Sequence, residues 1–347
     1  MTKRTVCVTG ASGFIAAHVV RELLERGYAV RGTVRGNPSE RRYAVLRALP
    51  GAAERLSLRT VELLDEAGWR PVMRGCDAVI HTASPFRLDV QDPKRDLIDP
   101  AVAGTRHVLG AALEAGIARA VTTSSLAAIS DEPVTGKVFT EADWNVRSSA
   151  ERNPYYAAKT AAERLAWALE AQADGALCLV SINPGLVLGP SIGPALNPSV
   201  AVVRDLLLGV SPVLLDLSWM VVDVRDVALA HVAAMELPEA RGRFICAAES
   251  VSMARMAQLL REAGLAEGYA LPRLHLRGRL GTALVKLIAQ RQSAGTRSYL
   301  LTHLGKVLRA DGSRLTRELG VAYRDVRTTL RDTVGDLERW GHLARPR

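Results

Sequence analysis

The sequence predicts an α/β fold: a doubly wound parallel β-sheet covered by helices, with a smaller, mostly helical part towards the C-terminus. Three observations predict it. Apolar runs rich in Val and Ile alternate with helical patterns, which is typical of parallel sheets buried on both faces. The chain opens on a β-branched run that ends in a glycine turn. Its 347 residues, 48% of them apolar, suffice for one large domain and a smaller one.

The alternation of patterns gives the elements in order. We predict strands near 4–9, 28–34, 56–61, 77–82, 117–123 and 177–183. We predict helices near 13–26, 39–49, 65–74, 96–115 and 155–172. Right-handed crossovers between such strands give the spatial order 3-2-1-4-5-6. Ligands of such sheets bind beyond the carboxyl ends of the strands, where the order reverses.

The turn after the first strand predicts a dinucleotide site. Gly10 allows a sharp turn, Gly13 leaves room for a pyrophosphate at the following helix N-terminus, and Ala16 allows close helix–strand packing. The spacing Gly-x-x-Gly-x-x-Ala differs from the Gly-x-Gly-x-x-Gly fingerprint of many dehydrogenases. A glycine turn without a ligand is the alternative, and its position at the opening of a β-α unit disfavours it. We therefore predict a Rossmann domain.

The second predicted strand is followed by Arg35, with Arg41 and Arg42 just beyond. NAD-binding domains usually carry an acidic residue here to hold the ribose 2′-hydroxyl. Arginine suits the 2′-phosphate of NADP instead, because its planar guanidinium donates two hydrogen bonds to phosphate oxygens. Solvated surface charge is the alternative in so Arg-rich a chain. The missing carboxylate favours NADPH/NADP⁺ as the cofactor.

Tyr155 and Lys159 lie four residues apart at the start of the helix predicted near 155–172. Such residues project from the same helix face, about 5–6 Å apart. An ammonium group this close lowers the pKa of a phenol, which can then exchange a proton with a substrate oxygen. The chain has 39 Arg and only six Lys, so routine surface charge is a less natural explanation for this lysine. Alone the pair is a weak signal, because it occurs by chance in many helices.

Beyond residue 190 the alternation becomes less regular and Gly-Pro and Asn-Pro breakers recur. We predict helices near 196–209, 251–263, 280–303 and 326–344. Residues 223–247 are expected to return to the main sheet. The predicted division is a dinucleotide-binding Rossmann domain at 1–190, with 223–247 returning to it, and a discontinuous substrate-binding cap at 191–222 and 248–347.

The motifs Gly10-x-x-Gly13, Tyr155-x-x-x-Lys159 and Ser124-Ser125 together resemble the extended short-chain dehydrogenase/reductases. Finer motifs resemble the branch of dihydroflavonol reductases, cinnamoyl-CoA reductases and microbial NADPH-dependent aldehyde and ketone reductases. They follow the family's order over most of residues 4–250, at Gly32 to Arg35, His81 to Pro85, Asp99 to Thr105, Tyr155 to Trp167, Asn183 to Pro190 and Val222 to Ala228.

The resemblance implies a reversible reduction of a carbonyl group by hydride from NADPH. Tyr155 would donate the proton, Lys159 would tune its pKa and hold the nicotinamide ribose, and Ser125 would hold the carbonyl oxygen. Ser124 is the runner-up to Ser125, and hydrogen bonding at a strand end is the alternative for both. Tyr156 is a second candidate acid, but its spacing to Lys159 is not that of the family.

The resemblance and the positions after the strands also predict cofactor and substrate contacts. The predicted cofactor-binding residues are Gly10, Ser12, Gly13, Phe14, Ile15, Arg35, Glu62, Leu63, Thr82, Ala83, Ser84, Tyr155, Lys159, Pro184 and Val187. The predicted substrate contacts are Ser84, Phe86, Leu126 and Leu186, with Trp219 and Met220 as further candidates. Their mostly apolar character suits a hydrophobic aldehyde, ketone or keto ester, although each could equally be core. Glu62 and His107 depart from the Asp and Asn that relatives usually carry.

Two other functions stay open. A sugar-nucleotide epimerase or dehydratase, or a hydroxysteroid-type dehydrogenase, would keep the tyrosine and lysine. An epimerase would need a polar diphosphate site in the C-terminal part. A non-catalytic NADP-binding regulator on the same fold is the second alternative, but such proteins commonly lose the tyrosine or the lysine.

Bulk composition restricts partners and compartment. The net charge is +9, but the arginines are scattered among acids, so nucleic-acid binding is disfavoured. The apolar stretch 199–230 contains charged residues and cannot be a membrane span. Four separated cysteines and seven unclustered histidines suggest no disulfide framework and no metal site. We predict a cytoplasmic enzyme of small-molecule substrates, monomeric or homodimeric, with no nucleic-acid or membrane partner.

Overall fold

The computed structural model describes residues 4–85 and 90–344, apart from the side chain of Arg279. Its strands are β1 Thr5–Thr9, β2 Ala29–Val34, β3 Leu56–Thr60, β4 Ala78–His81, β5 Arg119–Thr123, β6 Cys178–Pro184, β7 Leu186–Leu188, β8 Leu214–Leu215, β9 Ser218–Asp223, β10 Gly242–Cys246, β11 Glu249–Ser252 and β12 His275–Leu276. A seven-stranded sheet has the order β3-β2-β1-β4-β5-β6-β10, and every pairing in it is parallel. The predicted α/β class and the order 3-2-1-4-5-6 are confirmed.

Helices cover both faces of this sheet, and others belong to the C-terminal part. They are α1 Phe14–Glu25, α2 Ala44–Arg47, α3 Ala52–Arg55, α4 Glu66–Met73, α5 Asp99–Glu114, α6 Pro154–Gln172, α7 Pro198–Leu207, α8 Val224–Glu236, α9 Met253–Glu262, α10 Gly278–Ala289, α11 Ala294–His303, α12 Ser313–Leu319 and α13 Val326–Arg339. Short 3₁₀ turns occupy Arg41–Tyr43 and Leu126–Ala128, and a π-turn, Lys94–Ile98, leads into α5.

Side chains alternate between two cores because successive residues of a strand face opposite sides of the sheet. In β1, Val6 and Val8 join the core that includes α1 and α8. Cys7 between them joins the core that includes α4, α5 and α6. The near-continuous apolar character of the strands thus follows from burial on both faces.

Two predicted helices differ from the structure. The helix predicted near 39–49 is a 3₁₀ turn followed by the single turn α2. The helix predicted near 280–303 is divided into α10 and α11. The break lies before Ser293, whose side chain accepts a hydrogen bond from the Thr296 N–H at 3.4 Å and so caps a new helix.

The C-terminal part combines helices with small sheets. β7, β9 and β11 form a three-stranded sheet, and β8 pairs with β12. Buried hydroxyls fix α13 to this region: Thr333 Oγ1 accepts from the Gly189 N–H at 2.9 Å, and Thr329 Oγ1 donates to Asp223 Oδ2 at 2.8 Å. Residues 224–246 return to the large sheet as α8 and β10, while the proposed division into two domains stays a prediction. In the part of the chain that the structure describes, no helix has the length and apolarity to cross a membrane.

Candidate active site

The site begins at the glycine turn after β1. Gly10 has a positive φ of 63°, and a Cβ added there would lie 3.1 Å from the Ala83 Cβ, so this position requires glycine. Its N–H donates to Thr33 Oγ1 at 3.0 Å, and the N–H of Gly13 donates to Gly10 O at 2.8 Å. A Cβ on Gly13 would stand 3.1 Å from that same carbonyl oxygen. The turn therefore presents bare backbone to whatever binds above it.

The N-terminus of α1 is suited to an anion. Gly13 is its N-cap residue, no side chain caps the helix, and no acidic residue lies in its first turn. The first N–H groups are thus free for a ligand, where the helix dipole favours negative charge. Ser12 and Gly13 are exposed, whereas Phe14 and Ile15 are partly buried against the core.

The predicted phosphate-binding arginines gather after β2. Arg35, Arg41 and Arg42 are all exposed. Arg42 forms an ion pair with Glu40 at 2.9 Å, and its Nη2 donates to the Arg35 carbonyl oxygen at 2.7 Å. The hydroxyl of Tyr43 donates to the same oxygen. The backbone of Arg35 is thereby fixed while its side chain stays exposed at the edge of the site.

The ends of β3 and β4 carry the next predicted contacts. Glu62 is exposed, and Leu63 is partly buried against α5, where a Cβ on Gly104 would clash with its side chain at 2.4 Å. The N–H groups of Thr82 and Ala83 both donate to Thr9 Oγ1 at 3.0 Å. This hydroxyl therefore ties the end of β4 to the glycine turn.

His81 is a buried, satisfied histidine. Its Nδ1 lies 2.8 Å from Thr9 Oγ1, whose hydrogen is free to be donated because the oxygen accepts from two N–H groups. Burial, with the charge of Lys159, lowers the pKa of His81 to about 3. The ring is therefore neutral. Among the described residues no group of three or more His, Cys, Asp or Glu could hold a metal ion.

The three predicted catalytic residues meet near the carboxyl end of β5. Ser125 follows this strand, and its side chain interacts with the phenol of Tyr155 in the first turn of α6. Lys159, one helical turn further, is buried, and its Nζ donates to Thr123 O at 3.2 Å. The structure thus brings a hydroxyl, a phenol and an ammonium group to one edge of the sheet.

The protonation of this group differs from the expectation. We expected Lys159 to lower the pKa of Tyr155, but burial raises that pKa to about 12, and the hydrogen bond with Ser125 opposes the rise. Burial also lowers the pKa of Lys159 to about 8, opposed by the negative charge of Glu163. The cause of this difference is desolvation. Transferring the phenolate from water to this buried position costs more free energy than its interactions with neighbouring groups recover.

Ser124 points away from Ser125, as alternation along the chain predicts. It is buried, and its Oγ donates to Glu163 Oε2 at 2.5 Å. Glu163 also accepts from Asn183 Nδ2 at 2.8 Å and from Arg243 Nε at 2.6 Å. Asn183 Nδ2 reaches the Ser125 carbonyl oxygen as well, at 3.1 Å. Ser124 therefore belongs to a buried network behind the site.

That network is a part of the site which the sequence analysis missed. Glu163 follows Lys159 by four residues on α6, so the spacing that singled out Tyr155 also predicts that it shares their face. No local signal predicts its partner Arg243, which reaches it from the far strand β10.

The remaining predicted contacts are largely packed. Pro184 and Val187 are buried, and Leu186 is partly buried against the core of the C-terminal part. Leu126 is 6% exposed and packs in a cluster with Met220. Ser84 is partly buried, and Phe86 lies outside the described residues. The predicted roles of these residues in contacting cofactor or substrate remain predictions.

Two surface cavities lie away from these residues. One, of about 410 Å³, is lined by Trp144, Trp167 and Arg243 among others, and another, of about 620 Å³, by Leu229, Tyr323 and others. Neither is lined by a predicted catalytic residue. Neither cavity volume identifies the site. We assign it instead from the predicted residues that meet at the carboxyl ends of the strands.

A family model supports this reading of the geometry. Residues 6–246 match the NAD dependent epimerase/dehydratase family. The matched region extends from β1 to the last residue of β10, so it includes all seven strands of the large sheet.

Individual proteins show similarity over longer spans. Cinnamoyl-CoA reductase 1 of Arabidopsis thaliana is 36% identical over 345 residues, covering 98% of this chain and 91% of that protein. Dihydroflavonol 4-reductase of Zea mays is 35% identical, covering 75% of this chain and 74% of that protein. The crystal structure of yeast methylglyoxal/isovaleraldehyde reductase Gre2 complexed with NADPH superposes with a TM-score of 0.78 at 26% identity, over 97% of this chain and 99% of that one.

Proposed function

We propose a function from one premise: this chain belongs to the NAD dependent epimerase/dehydratase family, within the extended short-chain dehydrogenase/reductases. It is an NAD(P)-dependent reductase of that family. We propose that it uses NADPH to reduce the carbonyl group of a hydrophobic aldehyde, ketone or keto ester, reversibly. The convergence of Ser125, Tyr155 and Lys159 at the carboxyl end of β5 is the observation that carries this proposal.

The residues present fit a bound NADPH. The glycine turn at Gly10 and Gly13 would receive the pyrophosphate, because glycines leave its backbone without side chains that would obstruct a phosphate group. The uncapped N-terminus of α1 supplies free N–H groups for its charge. Exposed Arg35 would hold the 2′-phosphate through paired hydrogen bonds. When bound, the reduced nicotinamide supplies a hydride to the carbonyl carbon.

Tyr155 and Ser125 serve the carbonyl oxygen. With its pKa raised to about 12, Tyr155 is a neutral phenol at pH 7 and so holds the proton that the new alkoxide needs. The Ser125 hydroxyl donates a hydrogen bond to the same oxygen as its negative charge grows. Because the two side chains lie close enough to interact, one substrate oxygen can reach both.

Lys159 supplies the positive charge beside this pair. At pH 7 a lysine whose pKa is about 8 remains mostly protonated. The ammonium group stabilises the phenolate left after proton donation and would hold the nicotinamide ribose hydroxyls. Glu163 behind it raises the pKa of Lys159 against the effect of burial, so the ammonium form persists near neutral pH.

The test is an NADPH-oxidation screen over aryl aldehydes, aryl ketones, β-keto esters, flavonoid ketones and cinnamoyl-CoA. We expect turnover of at least one class. Tyr155→Phe should lower kcat about 100-fold or more, because it removes a general acid, and should leave the Kd for NADPH nearly unchanged. Tyr156→Phe is the matched control and should keep most of the activity.

Other outcomes separate the alternatives. Full activity in Tyr155→Phe would refute the proton-donor role. NADPH binding without oxidation across the whole panel would favour a non-catalytic regulator. A nucleotide that stays with the protein through purification and does not exchange would favour an epimerase.

A further inference from the structure

One segment of the C-terminal part has an unusual charge composition. Residues 268–310 contain eight Lys and Arg and no Asp or Glu. Elsewhere in the chain acids and bases are mixed, with 36 acidic and 45 basic residues in all. An acid-free stretch of this length concentrates positive charge in one part of the chain, although Lys306 within it forms an ion pair with Glu132.

Within this segment α10 exposes a row of large apolar side chains. Leu280 is 88% exposed, Leu284 48%, Leu287 70% and Ile288 51%. Their spacing of i, i+4, i+7 and i+8 places all four on one side of the helix. Leu274, shortly before the helix, is also 62% exposed. Contiguous exposed apolar surface of this kind marks an interaction site more often than chance.

The opposite side of α10 is already packed. Val285 and Ala289 are buried, and Val285 lies in a cluster with Leu217 and Leu304. The helix is therefore held to the protein by a second, separate face. Its exposed leucines therefore do not belong to the hydrophobic core that holds the helix in place.

Basic side chains flank the exposed row. Arg273, Arg277, Lys286 and Arg291 are exposed. Across residues 4–85 and 90–344, no carboxylate forms an ion pair with any of these four. Their charge is thus available to an external partner.

We propose that α10 and its flanks bind the surface of an anionic lipid bilayer, with the helix lying in the plane of the surface. An apolar face inserts among the acyl chains while flanking Lys and Arg meet the headgroups, which is the arrangement of interfacial helices. A second copy of the chain fits this surface less well, because pairing the same face would oppose like charges. The proposal departs from the expectation of no membrane partner. That expectation rested on the lack of a spanning segment, which binding at the bilayer surface does not require.

The test is co-sedimentation of the full chain with vesicles at low salt. We expect binding to phosphatidylcholine vesicles that contain about 30% phosphatidylserine, and at least tenfold weaker binding to pure phosphatidylcholine. The double variant Leu280→Gln/Leu287→Gln should weaken binding about tenfold or more. Lys286→Gln/Arg291→Gln should reduce the dependence on phosphatidylserine. Raising the salt to about 0.5 M should release the protein, because screening shortens the range of the attraction.

A matched control uses apolar residues exposed elsewhere. Val146 and Val210 are 79% and 68% exposed, and Val146→Gln/Val210→Gln should bind vesicles like the unchanged protein. The leucine double variant and the valine control should both keep the Tm and the NADPH oxidation rate, since the altered side chains are exposed. Equal binding by the two would overturn the proposal. So would a failure to bind vesicles, or a homodimer without lipid that Leu280→Gln/Leu287→Gln dissociates.

Discussion

At the scale of single residues, burial sets the protonation of the site more strongly than the contacts between its members do. It raises the pKa of Tyr155 to about 12 and lowers that of Lys159 to about 8. Both shifts favour the neutral form, as desolvation requires. The phenol is therefore a stable proton donor at pH 7, while the lysine lies close enough to its pKa to respond to pH.

This difference predicts the pH dependence of reduction. As pH rises through about 8, Lys159 loses its charge while Tyr155 keeps its proton, so kcat should fall with a midpoint near pH 8. The measurement is kcat for NADPH oxidation at saturating carbonyl between pH 6 and 10. In Lys159→Arg the guanidinium stays charged, so the residual activity should show no such fall. A flat profile in the unchanged enzyme would contradict the assignment.

The sequence predicted that these residues lie near one another but not their energetics. The i, i+4 spacing predicted that Tyr155 and Lys159 lie one turn apart on α6, and the family resemblance favoured Ser125 over Ser124. The direction of the Tyr155 pKa was wrong, because depth of burial depends on elements distant in the chain. For Leu126 a pattern of apolar residues cannot separate a pocket wall from core, and the structure packs its side chain with Met220.

At the scale of elements, α6 is anchored from behind by a buried ion pair. Glu163 and Arg243 lie 2.6 Å apart, with side chains 1% and 7% exposed. Arg243 Nη1 also donates to the Glu141 carbonyl oxygen at 2.9 Å, and its guanidinium stacks 3.9 Å from the centre of the Trp144 ring. The pair thus joins the helix that carries Tyr155 to the far edge of the sheet.

Glu163→Gln should therefore weaken the fold and the site together. It leaves a buried guanidinium without its countercharge, so the free energy of unfolding should fall by about 3 kcal/mol, measured by urea denaturation. It also removes the charge that raises the pKa of Lys159, so the midpoint of the pH–rate profile should move below that of the unchanged enzyme. Glu170→Gln, on the same helix, is the control and should change stability by less than about 0.5 kcal/mol. If Glu163→Gln left the free energy of unfolding unchanged, the ion pair would make no net contribution to stability.

Element boundaries were predictable where periodicity was strong. The predicted start of the helix near 155 agrees with Pro154, because proline suits the first turn of a helix. The single helix predicted over 280–303 was wrong, since its apolar pattern continues across a break that Ser293 caps. Periodicity also could not show that α10 turns a second apolar face outward, because packing partners decide which face is buried.

At the scale of the whole molecule, local sequence patterns were enough to predict the large sheet but not the contacts of the C-terminal part. Alternating strands and helices leave few topologies once crossovers are right-handed, so the order of the first six strands followed from the sequence. The C-terminal contacts join residues that are far apart in the chain, 106 positions between Asp223 and Thr329 and 98 between Asp226 and Arg324. No local pattern predicts such pairs.

A cofactor that bridges several strand ends should stabilise the whole chain. NADPH at about 100 times its Kd would add about 2.7 kcal/mol to the free energy of unfolding. For a chain of this length that raises Tm by about 4 °C, measurable by differential scanning fluorimetry. NADH should give a smaller shift, because it lacks the phosphate that Arg35 is proposed to hold.

Arg35→Asp tests the origin of that difference. The carboxylate would repel the 2′-phosphate and accept a hydrogen bond from the ribose 2′-hydroxyl, so the shift with NADPH should shrink and that with NADH should grow. Arg331→Asp makes the same change of charge at an exposed position of α13 and should leave both shifts as they were. Equal loss of both shifts in Arg35→Asp would mean that the residue supports the turn rather than the phosphate. An unchanged preference for NADPH would move the phosphate site to Arg41 or Arg42, which are exposed on the same turn.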